Sequence, residues 1–132
     1  MTSIAEYYIS ELEDWREVIH FYLEEIGELE KRLSKTLNFY TVIGLIAVVK
    51  NNLDQLLLSR QNWIILQGNL QSFKNRLYLE KLPVENALIT ERIKQQQDEF
   101  RKIMHSTEKE YLSIKYNCAD FLAEAFTGQY KN

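Results

Sequence analysis

The sequence predicts an all-α fold, an up-down-up antiparallel three-helix bundle with coiled-coil-like heptad packing. Three observations carry that expectation. The 132 residues include 4 Gly and 1 Pro, too few breakers for a fold built from hairpins. Apolar residues recur in alternating steps of four and three over long stretches. Residues 42–79 carry the longest apolar run, VIGLIAVV at 42–49, together with two apolar triplets, Leu56-Leu57-Leu58 and Ile64-Ile65-Leu66. Neither proline nor a turn dipeptide interrupts that stretch, so it reads as one long helix covered by neighbours. A single domain over residues 1–132 is the expected organisation.

The first helix is expected over about residues 4–37. Ser3-Ile4-Ala5-Glu6 fits a capping box, in which hydroxyl and carboxylate satisfy free N–H groups at the helix start. Its stripe runs Tyr8, Leu12, Trp15, Ile19, Tyr22, Ile26, Leu29, Leu33 without a missed step. So regular a heptad points to a left-handed seam with neighbouring helices. The stripe weakens at Thr36, and Asn38 to Thr41 form the expected connection, with Thr41 as the next N-cap. One continuous helix through residue 79 is the alternative, because no Gly or Pro marks this boundary.

The second helix is expected over about 41–80. One position per heptad is apolar throughout: Val42, Val49, Leu56, Trp63, Leu70, Leu77. The paired row reads Ile46, Leu53, Arg60, Gln67, Lys74, greasy at its start and polar at its end. Leu58 and Ile65 lie opposite, on the face that a three-helix bundle leaves wet. Pro83 opens the third helix, expected over about 83–127, because proline suits a first helical turn. Its stripe is Ile89, Ile93, Gln96, Phe100, Ile103, Thr107, then Tyr111, Ile114, Cys118, Phe121, Ala125, with a stutter between Thr107 and Tyr111.

Short connections force antiparallel neighbours. Folding near residues 38 and 82 sets Trp15 level with Trp63 and Ile103, and makes VIGLIAVV the core of a greasy end. It also sets Gln67 level with Gln96 and Tyr8, and Arg60 with Thr107. The shape resembles spectrin-type three-helix bundles, a likeness that implies a fold and no function.

Charge bounds the function. The net charge of −3 gives no electrostatic case for nucleic acid. Residues 1–38 hold 9 acids and 4 bases, residues 39–82 hold 2 and 5, and residues 83–132 hold 8 and 7. An acidic first segment beside a basic second one suggests complementary neighbours within the fold. The eight-residue apolar run falls short of the roughly 20 residues a membrane span needs, so no membrane partner is expected. The N-terminus lacks a basic segment leading into an apolar one, and a cytoplasmic placement follows as the expectation.

The residues offer few candidate chemistries. Glu17-Val18-Ile19-His20 matches Glu-x-x-His, half the signature of a carboxylate-bridged di-metal bundle, so a ferritin-like oxidase is one alternative. It is disfavoured because Ile19 holds the seam and turns Glu17 outward, and because Lys102 stands where His105 would need its Glu. Cys118, the one cysteine, falls among apolar neighbours and reads as an inert core thiol. No phosphate loop, nucleophile elbow or zinc spacing occurs, so neither cofactor nor catalytic residue is assigned. Tyr8, Arg60, Gln67, Gln96 and Thr107 form a candidate polar seam, either a register-setting layer or a small-ligand pocket. Phe21, Leu58 and Ile65 form a candidate self-association face. The leading expectation is a non-enzymatic interaction or scaffold protein that forms a homodimer, with a ligand-sensing bundle as the other alternative.

Overall fold

The computed structural model describes residues 3–39, 43–79 and 89–126. It contains three helices, α1 (Ile4–Phe39), α2 (Ile43–Leu79) and α3 (Glu91–Phe126), packed on one another as a bundle with no strand among the described residues. α1 starts where its capping residues place it. The Ser3 hydroxyl accepts the Glu6 N–H at 3.1 Å, and the Ser3 carbonyl accepts that of Tyr7 at 2.9 Å. α3 opens later than the proline suggested. The Thr90 hydroxyl accepts the Ile93 N–H at 3.3 Å and its carbonyl that of Lys94 at 3.1 Å, so Thr90 is the cap and Glu91 the first helical residue. Thr41 and Pro83 both lie outside the described residues.

Side-chain partners give the topology. Glu30 of α1 meets Arg60 of α2 while Glu13 meets Lys74, so these two helices run antiparallel and are separate rods. Glu11 meets Arg101 and Glu25 meets Lys115, so α3 runs parallel to α1, giving up-down-up. The acidic first helix thus clamps basic residues on both neighbours, as the uneven charge suggested.

The α1 seam is the expected one. Tyr8, Leu12, Ile19, Ile26, Leu29 and Leu33 are buried, Trp15 and Tyr22 pack against them, and Thr36 continues the repeat with its hydroxyl turned back to the Arg32 carbonyl. In α2 the invariant row is also as expected, with Val49, Leu56, Trp63, Leu70 and Leu77 buried; Val42 is outside the described residues.

The row paired with it is different. It is Leu45, Asn52, Ser59, Leu66 and Phe73, one residue earlier than the Ile46 row throughout. Both rows satisfy three-and-four spacing from Val49, and the difference inverts the polarity. Asn52 and Ser59 put the polar seam positions in the first half of α2, while the second half is wholly apolar. VIGLIAVV is likewise not a core block: Leu45 and Val49 are buried, whereas Ala47 and Val48 are exposed. One helix in a three-helix bundle can bury only a stripe.

α3 has no stutter. Gln97 and Met104 are buried where Gln96 and Ile103 were expected, and Ile103 is exposed. With those two exchanges the seam reads Ile93, Gln97, Phe100, Met104, Thr107, Tyr111, Ile114, Cys118, Phe121, Ala125, in unbroken steps of four and three.

Register is off by one heptad from the sequence expectation. Trp63, fully buried, lies level with Tyr22 and Tyr111 rather than with Trp15 and Ile103. The ring centroids are 5.3 Å apart for Tyr22 and Trp63, 4.9 Å for Tyr22 and Tyr111, and 6.4 Å for Trp63 and Tyr111. Each such pair contributes about 0.5–1.5 kcal/mol beyond the area it buries. This aromatic layer, with one ring from each helix, overrides any register set by minimal connections.

Candidate interaction face

The five polar residues singled out in the sequence do not converge. Tyr8 is buried, and its backbone carbonyl accepts Gln97 Nε2 at 3.2 Å. Gln96 is half-buried beside Phe73, Arg76 and Thr90. Gln67 flanks the α1–α2 seam near Leu12 and Glu13. Thr107 is half-buried in mid-bundle, and Arg60 pairs with Glu30, towards the other end of α1 from Tyr8. The residue seated in the seam is Gln97, fully buried, whose Nε2 also donates to Glu11 at 2.9 Å. Its Oε1 has no hydrogen-bond partner among the described residues, and neither has Trp63 Nε1.

Polar groups that cross between helices are held by carboxylates of α1 and α3. Tyr22 Oη donates to Glu108 at 2.7 Å, and Tyr111 Oη to Glu25 at 2.6 Å. Burial, and then these carboxylates, push the Tyr22 hydroxyl up to about 12 and raise that of Tyr111 as well. The hydrogen bond to Glu11 raises Arg101 above its ordinary value. These groups brace the bundle.

Glu17 and His20 both lie on an exposed face of α1, where His20 Nε2 sits 3.1 Å from Glu24. No three His, Cys, Asp or Glu side chains cluster to hold a metal among the described residues. Cys118 is fully buried, and burial pushes its thiol up to about 11, away from nucleophilic use.

The outer face of α2 stands apart from the other two helix surfaces. Leu57, Leu58, Ile64 and Ile65 are 47%, 58%, 51% and 63% exposed, a contiguous apolar quartet in the middle of the molecule. Leu58 and Ile65 were expected there; Leu57 and Ile64 join them from inside the two apolar triplets. α2 carries five charged residues (Lys50, Asp54, Arg60, Lys74, Arg76) in 37, against 13 in 36 for each of α1 and α3. Arg60 and Lys74 are taken up by Glu30 and Glu13, which leaves Lys50, Asp54 and Arg76 as the charges on its outside. Phe21 is exposed too, but it lies on α1 beside a hollow shared with Lys115 and Ala119 of α3. It is therefore not part of the α2 face.

A helix with large apolar residues on its outer face as well as in the seam has more to cover than the bundle alone covers. Charge depletion around an apolar centre is also the compositional mark of an interface core. No helix among the described residues is long and apolar enough to cross a membrane. Compared with protein-family models, curated proteins and solved structures, the chain matches none.

Proposed function

We propose that this protein is a non-enzymatic interaction module, a coiled-coil-like helical bundle that pairs with a second copy of itself through the outer face of α2. The observation that carries the reading is the exposed quartet Leu57, Leu58, Ile64, Ile65 on a helix nearly stripped of surface charge. Four such side chains, each about half exposed, present roughly 400 Å² of apolar surface, the size of the largest patch on a typical monomer, which is often functional. Covering this patch on two copies removes about 800 Å² of apolar area from water. With the polar residues that rim it, such a pair approaches the roughly 1,000 Å² of total buried area expected of a biological interface. A second copy is favoured as occupant because the face carries an apolar pair on either side of Gln61, Leu57-Leu58 and Ile64-Ile65, and so matches its own two-fold image. A cytoplasmic placement is part of the same proposal.

Ile65→Lys tests it. In a symmetric pair each substitution counts twice, and burying an isoleucine is worth about 1.5–3 kcal/mol, so the dissociation constant should rise at least a hundredfold. Sedimentation velocity over a concentration series reads this directly, with circular dichroism confirming unchanged helix content. Association that Ile65→Lys leaves intact would remove the α2 face from the proposal.

A further inference from the structure

Resting on that self-association, we infer that the two copies pair α2 against α2 antiparallel, across a two-fold axis passing beside Gln61. Gln61 is exposed and lies at the centre of the face, with Leu57 and Leu58 before it and Ile64 and Ile65 after it at matching separations. An antiparallel two-fold there sets Leu58 against the partner's Ile65, and Leu57 against the partner's Ile64, so that all eight side chains are covered together. Polar residues then close both ends of the apolar strip. Asn51 comes level with the partner's Gln71, and Lys50 with the partner's Ser72, all of them exposed in the single chain.

A parallel pair would cover the same apolar side chains, so apolar matching alone does not choose between the two. Charge does. Parallel pairing stacks Asp54 on the partner's Asp54 and Lys50 on the partner's Lys50, and like charges brought together at an interface are strongly disfavoured. Antiparallel pairing sets Asp54 over the partner's Gly68 instead. Gly68 fits that arrangement. It sits in mid-helix, where glycine is a poor helix former, and a Cβ built on it meets nothing within 4 Å. Among the described residues no contact requires a glycine there, nor at Gly44, which is open in the same way. In the antiparallel pair the bare backbone of Gly68 leaves room for the partner's Asp54 side chain.

Three single variants, Asp54→Cys, Gln61→Cys and Gly68→Cys, test the geometry under mild oxidation, read on a non-reducing gel. All three positions are exposed, and Cys118 is buried, so the unsubstituted protein is the uncrosslinked control. The expected result is a covalent dimer for Gln61→Cys and none for Asp54→Cys or Gly68→Cys alone. Mixing Asp54→Cys with Gly68→Cys should give a covalent pair. Self-crosslinking of both Asp54→Cys and Gly68→Cys would mean a parallel pair and overturn the inference, with self-association standing. A dimeric mass with no crosslink in any of these samples would overturn it as well, by placing the contact on another face. A monomeric mass for the unsubstituted protein would instead overturn the self-association beneath it.

Discussion

Replacing Gln97 with leucine is expected to stabilise the bundle, and the structure allows the balance to be worked out. The side chain is fully buried in the seam between α1 and α3 and makes two hydrogen bonds through Nε2, to the Tyr8 carbonyl and to Glu11. The bond to a carboxylate is the larger loss, about 1.5–3 kcal/mol if Glu11 were left bare. Glu11 is not left bare, because Arg101 Nε remains 3.0 and 2.9 Å from its two oxygens. The loss therefore falls towards the lower end of that range. Against it stand the unpartnered Oε1, whose burial costs about 1–3 kcal/mol, and the burial of a leucine side chain, worth about 1.5–3 kcal/mol. Losing the bond to the Tyr8 carbonyl takes off a further 0.5–1.5 kcal/mol or about that, and at central values the net is a gain of about 1–2 kcal/mol. Urea unfolding followed by circular dichroism should show a higher midpoint with unchanged slope. The melting temperature should rise by about 3–6 °C per kcal/mol. A midpoint lower than that of the parent would refute the reasoning, because it would mean that the polar contacts outweigh the orphaned oxygen and the apolar gain.

Two further outcomes follow from the aromatic layer. Trp63→Ala empties the centre of the Tyr22–Trp63–Tyr111 cluster and should cost about 3–5 kcal/mol in the same unfolding assay, where a loss below about 1 kcal/mol would contradict full burial. Tyr22 and Tyr111 are held protonated in the folded state above the ordinary phenol value of 10.0, Tyr22 to about 12. Their contribution is therefore complete below about pH 10 and is lost as the pH rises from there towards 12. In an alkaline titration their tyrosinate absorbance should appear together with loss of the helix signal, and ionisation of both at the ordinary phenol value with helices intact would rule this out.

The helices differ in how much of their packing is legible from sequence, for physical reasons. In α1 every seam residue from Tyr8 to Leu33 is apolar and its off-seam neighbours are mostly charged, so pattern and burial coincide. In α2 apolar residues occur all round the helix, and periodicity has two solutions one residue apart; Leu66 and Phe73 decide for the row that contains Asn52 and Ser59. In α3 hydrophobicity misleads, because Ile103 outranks Met104 and yet Met104 takes the seam. The apparent stutter is a product of that choice and of choosing Gln96 over Gln97. Register was out of reach because it follows from three large rings stacking in one layer, not from the shortest connections. Of the interaction face, Leu58 and Ile65 were legible from heptad position. Leu57 and Ile64 were hidden inside triplets that each also hold a buried member, Leu56 and Leu66, and Phe21 belonged to a different surface. The acidic clamp of α1 on Arg60 and Lys74 was foreshadowed by segment charge alone.

The native mass of the unsubstituted protein, from sedimentation equilibrium at tens of micromolar, bears most directly on the claim that the outside of α2 is a covered surface. The account predicts a particle of twice the 15.7 kDa chain mass. A particle of one chain mass at that concentration would contradict it.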